Sequence, residues 1–224
     1  MKLTVVFSMI MLFGASSQAG VITISNAGFE NPNVGSGAIV NAAPNGWNTS
    51  NFFAGTWNIA AGGFFTGSAP EGSQILFVGF DGSASDANQT LGATVAANTT
   101  YTLAYSLGQR NDRAFSTYSV ALKANGVTIL GSDSAGAPTS GNFVNRTITF
   151  STGAAPATLG QTLGIYIQAS GLSALGANAQ AEFDNFSLTA NPTASGTPEP
   201  ATFGMIGAGI GAMAFARRRL QSKN

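Results

Sequence analysis

Between residues 20 and 190 apolar and polar positions alternate along most of the chain. In "TTYTLAYSLGQR", Tyr101, Leu103, Tyr105 and Leu107 fall on one side, and Thr100, Thr102, Ala104 and Ser106 on the other. A period of two marks a half-buried strand. "QTLGIYIQAS" repeats the pattern, with Leu163, Ile165 and Ile167 on one face. "YSVALKANGVTIL" holds two strands around Asn125-Gly126, a pair that tolerates positive φ and so predicts a two-residue type I′ hairpin. "VITIS", "GTWNI", "SQILFVGF", "RTITFST" and "AEFDNFSLTA" supply the remaining strands. Helical spacing is absent outside the two ends. About eight to ten short strands with glycine-rich turns predict an all-β, two-sheet β-sandwich.

The ends break this pattern. "MKLTVVFSMIMLFGASSQAG" has a cation at Lys2, an uncharged run from Leu3 to Phe13, and small residues at Ser17 and Ala19. That order predicts a cleaved secretory signal peptide over 1–19. Near the other end, Ala201 to Ala216 carries no charge and Arg217, Arg218 and Arg219 follow at once. As a helix it spans roughly 24 Å, close to a hydrocarbon core. Arginines stay in the cytoplasm, so a single transmembrane segment over 201–216 leaves the body outside. "NPTASGT", residues 191–197, reads as a linker. The expected organisation is therefore signal 1–19, β-sandwich 20–190, linker 191–197 and tail 198–224.

Pro198-Glu199-Pro200 holds the backbone extended just before the apolar run. Pro198, Glu199 and Pro200, a Gly/Ala-rich span and Arg217 to Arg219, in that order, resemble the PEP-CTERM sorting signal. The resemblance implies recognition by a membrane-embedded exosortase-type processing enzyme. It also implies transient residence in the inner membrane, and a final place at the cell surface or outside it. A second resemblance covers about Ile22 to Thr189. "SNAGFENP", Gly46-Trp47, "APEGSQILFVG", the long 88–112 stretch and a closing "FDNFSL" look like galactose-binding-like jelly-roll modules of secreted polysaccharide-active proteins. Ala27-Gly28 departs from the usual glycine followed by a small polar residue.

Charge and composition narrow the chemistry. Between Gly20 and Gly196 four cations stand against eight acids, a net charge of −4. A mildly acidic body lacks the electrostatic footprint for nucleic acid. Neither cysteine nor histidine occurs, which removes disulfides, thiolate nucleophiles, Ser-His-Asp devices and the usual zinc sites. Paired carboxylates for glycoside hydrolysis are not excluded by eight acids, but no motif demands them. No catalytic residue is nominated, and the body is expected not to be an enzyme.

Three groups remain as candidate sites. The jelly-roll resemblance implies that Glu30 on the first strand and Asp184 on the last share a structural calcium ion, whose hard oxygen ligands suit this chain. The same residues also fit a turn clamp. Trp47, Phe52, Phe53, Trp57, Phe64 and Phe65 crowd into 19 residues. Most fit a core, Trp47 above all; an exposed subset such as Phe52, Phe53 and Trp57 fits a sugar platform. Arg110 and Asp112 lie in the dense polar loop "QRNDR". They fit either a contact to a uronic acid or an internal ion pair. The expected function is an exported surface or matrix protein whose non-catalytic sandwich associates with extracellular polysaccharide. The alternatives are a coat protein without a sugar site and, more distantly, a polysaccharide-active enzyme.

Overall fold

Twelve strands account for the folded body in the computed structural model, which describes residues 20–50, 53–59, 63–80, 82–170 and 179–193. The signal segment, Phe52, the 201–216 segment and the sorting residues lie outside the described residues. In chain order the strands are β1 Gly20–Ile22, β2 Ile39–Val40, β3 Asn48–Thr49, β4 Ala54–Asn58, β5 Gln74–Gly79 and β6 Ser85–Thr94. Then come β7 Thr99–Gln109, β8 Thr117–Ala124, β9 Thr128–Asp133, β10 Phe143–Ser151, β11 Thr162–Ser170 and β12 Gln180–Pro192.

They form two antiparallel sheets. The seven-stranded sheet runs β10-β7-β12-β5-β4-β2, with β1 also paired to β12; the five-stranded sheet runs β3-β6-β11-β8-β9. This is the expected sandwich. Tyr101, Leu103, Tyr105 and Leu107 from β7 meet Val120 and Leu122 from β8 and Leu163, Ile165 and Ile167 from β11 in one core. Asn125 and Gly126 both have positive φ, 48° and 72°, as the type I′ hairpin requires. Trp47 is buried as expected, its ring 5.2 Å from Phe29 and 5.7 Å from Phe186, with Nε1 donating to the Ser25 carbonyl at 3.1 Å.

Two differences from the sequence reading stand out. β6, a central strand of the five-stranded sheet, was not anticipated. Its inward positions Ser85, Ala87, Gln89 and Leu91 include only one large apolar residue, so periodicity is faint. β12 runs through Pro192, two residues into the expected linker, paired to Thr99.

Candidate functional site

Strands β4 and β5 depart from alternation: every residue of both is buried. A strand buried on both faces needs a second layer over its outer side. Leu76 and Val78 enter the main core, while Ile75 and Phe77 join Trp57, Ile59, Phe65 and Ala69 in a separate cluster. This second cluster therefore sits on the outer face of the seven-stranded sheet. The segment containing Phe64 and Phe65 folds back over it, bonded to the loop before β10 by Thr66 N to the Gly141 carbonyl at 2.8 Å.

Pairing register fixes what shares that face. Phe143 pairs with Gly108, Gly108 with Glu182, Glu182 with Phe77, and Phe77 with Gly55. Glu182 thus stands in a row between glycine and phenylalanine. A Cβ at Gly108 would overlap the ring of Phe143, so glycine is what lets that ring lie across the sheet. Phe143 stacks on Phe65 with centroids 4.8 Å apart and planes at 26°. On β12, Ala181 and Phe183 point into the main core, leaving Gln180, Glu182 and Asp184 on the covered outer face.

Glu182 has no exposed surface, and no side chain hydrogen-bonds to its carboxyl oxygens; the Arg110 backbone N–H lies toward them. Burial pushes its pKa well above the ordinary carboxylate range; the Arg110 charge and backbone N–H oppose this and the Asp112 charge adds to it. Arg110 is itself almost buried. It donates to both Asp112 oxygens at 2.7 Å and to Gln180 Oε1 at 2.7 Å. Its guanidinium lies 4.1 Å from the Phe64 ring centroid and 4.8 Å from that of Trp57. With its fork taken by Asp112, Arg110 leaves Glu182 without a direct counter-ion. A carboxylic acid kept neutral in an apolar setting is a proton donor waiting for a base.

The nominated residues fall as follows. Trp57, Arg110 and Asp112 come together, but not as an open sugar platform. Trp57 is buried under Arg110, Phe64 and Phe65, and Arg110 is spent on the internal ion pair with Asp112. Phe53 is half-buried and packs on Gly79. Phe52 lies outside the described residues. Glu30 and Asp184 do converge, on the turn that leads into β5. Glu30 accepts from the backbone N–H groups of Ser73 at 2.8 Å and Gln74 at 2.6 Å. Asp184 accepts from those of Glu71 at 2.8 Å and Asn185 at 2.7 Å. Burial pushes the Asp184 carboxyl up to about 8; its own N–H bonds pull it down, and the charges of Glu71 and Glu30 push it further up. Among the described residues no group of three acids is placed to hold a metal ion by itself. Glu182 was not nominated from sequence. Its signal lay in two places at once: the apolar run "SQILFVGF", which implies a covered face, and the Ala181/Phe183 alternation, which aims Glu182 at that face.

The chain is similar to several known proteins. The HpiC1-like family model, described as HpiC1 cyclase, matches residues 20–189. The PEP-CTERM protein-sorting motif matches residues 197–219, which marks an exported, membrane-passing precursor sorted to the cell surface. A cyclase from Fischerella sp., solved in apo form, is 27% identical with a TM-score of 0.70, over 80% of this chain and 100% of that one. The Stig cyclase Fisc from Fischerella sp. TAU, solved with (3Z)-3-(1-methyl-2-pyrrolidinylidene)-3H-indole, is 26% identical with a TM-score of 0.68, over 79% and 100%. The carbohydrate-binding module TmCBM61, solved with β-1,4-galactotriose, is 14% identical with a TM-score of 0.50, over 75% and 97%, and shares the jelly-roll fold. No curated protein matches the chain in sequence. The cyclase matches count against the expectation of a non-enzyme.

Proposed function

The chain belongs to the HpiC1-like family, and from that premise we propose that its body is a cyclase. The covered outer face of the seven-stranded sheet takes a flat aromatic substrate, and Glu182 promotes ring closure by lending it a proton. The observation that carries this reading is the Glu182 carboxyl, fully buried and without a side-chain hydrogen-bond partner, in a row with Phe77 and Phe143. The related Fisc structure, with its indole compound, supports a substrate of the indole type.

In this mechanism the protonated Glu182 donates to a basic or electron-rich atom of the substrate. The cation so formed is stabilised by the faces of Trp57, Phe65 and Phe77. A bond then forms within the substrate, and the proton it releases returns to the Glu182 carboxylate, so no acid is consumed. Arg110, tied to Asp112 and Gln180, holds the rim of the apolar layer without ionising Glu182. A substrate reaching Glu182 displaces the Phe65–Phe143 stack that lies beside it. The test is turnover of 3-substituted indole alkenes by the wild-type chain and by Glu182→Gln. The reading expects turnover by the first and loss in the second; turnover that survives the substitution, or none in the wild type, sinks it.

Two further proposals complete the reading. Glu30 and Asp184, which converge on the turn before β5, would offer two hard carboxylates to a calcium ion, with carbonyl or water oxygens completing the shell; bound there, calcium would lock that turn to β12. The exported location supports a second role beside catalysis, association with extracellular polysaccharide after processing of the tail by an exosortase-type enzyme. In the precursor, residues 201–216 serve as the membrane-crossing segment.

A further inference from the structure

We infer that the outer face of the five-stranded sheet holds a binding groove for a neutral hexose polysaccharide, running across β6, β11 and β8. This rests on the polysaccharide reading and not on the cyclase one. The groove encloses about 550 Å³, and its walls include Asn88, Thr90, Lys123, Asn125, Thr162 and Tyr166. β11 alternates without exception, its inward residues buried and its outward residues half-exposed, so this face meets solvent.

Register explains the depression. Asn48 pairs with Asn88, Asn88 with Tyr166, and Tyr166 with Ala121. In the neighbouring row Thr90 pairs with Gly164, and Gly164 with Lys123. Gly164 leaves the floor low between Thr90 and Lys123. Tyr166 is the aromatic surface of the groove, and its hydroxyl engages Asp86. Asn88 Nδ2 also reaches Asp86, at 3.4 Å. Lys123 rests its ammonium 3.7 Å from the Tyr166 ring centroid.

The chemistry of the walls selects the ligand. Amides and hydroxyls at several heights match the hydroxyls of a sugar chain, and one aromatic face matches its C–H side. Asp86 and Lys123 cancel in charge, so the groove has no field to gather a polyanion. The lining offers no large aliphatic side chain to dock a protein's apolar surface except at its Ile165 and Leu163 floor, which the core already buries. A sugar ring that stacks on Tyr166 displaces the Lys123 ammonium from that face and gives it hydroxyl oxygens instead.

The experiment is native affinity electrophoresis of the full exported chain in gels containing soluble galactan, soluble β-glucan or, as the anionic contrast, alginate. Retardation is expected in at least one neutral polymer and not in alginate alone. Tyr166→Ala removes the aromatic face, and Thr90→Arg fills the groove from an exposed strand position that tolerates it; each should weaken binding at least tenfold. Glu182→Gln should leave retardation unchanged, which separates this proposal from the cyclase one. No retardation in either neutral polymer, retardation by alginate alone, or wild-type retardation of both variants overturns it. So does a change of oligomeric state in Thr90→Arg with retardation intact, because the face would then hold a second copy of the chain.

Discussion

The two sheets share one core but turn unlike faces away from it. On the seven-stranded sheet the outward residues Trp57, Ile75 and Phe77 are buried again, beside Glu182 and Asp184. On the five-stranded sheet the outward residues of β11 stay half-exposed, and Asn88, Thr90 and Tyr166 meet water. The contrast lies in how each set of strands is written. β5 is "QILFVG", apolar at odd and even positions alike, whereas β11 is "TLGIYIQAS", apolar at every second one. A doubly apolar strand demands a second cover, and the cover creates a dry layer in which a carboxyl can stay neutral. A strictly alternating strand leaves a wet face, suited to ligands that bring their own hydroxyls.

The sharpest way to break this contrast is to remove the acid from the dry layer. Glu182→Gln should lower turnover by roughly 10²- to 10⁴-fold, the span typical of general acid catalysis, while circular dichroism and the melting midpoint show an intact fold. Next comes the layer itself. Trp57→Ala should cost about 3–5 kcal/mol in urea unfolding, as for other buried aromatics. Tyr166→Ala on the wet face should cost clearly less. Equal costs would show that the two faces do not differ in kind.

The acids of the dry face also set a pH dependence. The folded Asp184 carboxyl sits at about 8, against an ordinary value of 3.8. The native state therefore holds a proton that the unfolded chain gives up, so its contribution is complete below about pH 4 and is lost as pH rises toward 8. In chelator, the melting midpoint should fall between pH 5 and pH 8, and Asp184→Asn should flatten that slope. Calcium added at pH 8 should restore the midpoint by neutralising Glu30 and Asp184. Midpoints that ignore both chelator and pH would remove the ion and the raised pKa of Asp184 together. The smallest expected effect is at Asp112. Removing its charge with Asp112→Asn leaves Arg110 freer to favour ionised Glu182, so the alkaline limb of the pH–turnover profile should move to lower pH.

Much of the fold could be read from period-two alternation, because β11 and the first half of β7, Thr99 to Tyr105, set one core row against one partly exposed row. β6 escaped because Ser85, Ala87 and Gln89 fill its inward side, and Gln89 is held by polar bonds to Ser25 and Gly46 that no hydropathy pattern announces. The site was legible only in pieces. Trp57 and the Arg110–Asp112 loop were singled out separately; the loop holds the internal ion pair that was one of its two readings, while Trp57 is buried and not an open platform. Exposure of an aromatic depends on whether a distant loop folds over it, and the loop carrying Phe64 and Phe65 does. Glu182 went unnominated for the same reason: an acid in an alternating strand looks solvent-facing until the doubly apolar β5 beside it shows that its face is covered. The polar groove depends on which strands become neighbours, and pairing Thr90 and Lys123 across Gly164 is a property of topology.

Whether Glu182 is held as a neutral acid inside the aromatic layer can be read directly by infrared difference spectroscopy between the wild-type chain and Glu182→Gln. At pH 7 the wild type should show the carbonyl stretch of a protonated carboxylic acid that the variant lacks. A difference spectrum carrying only carboxylate bands at pH 7 would mean that Glu182 is ionised where it stands, and the proposed proton donor would have no proton to give.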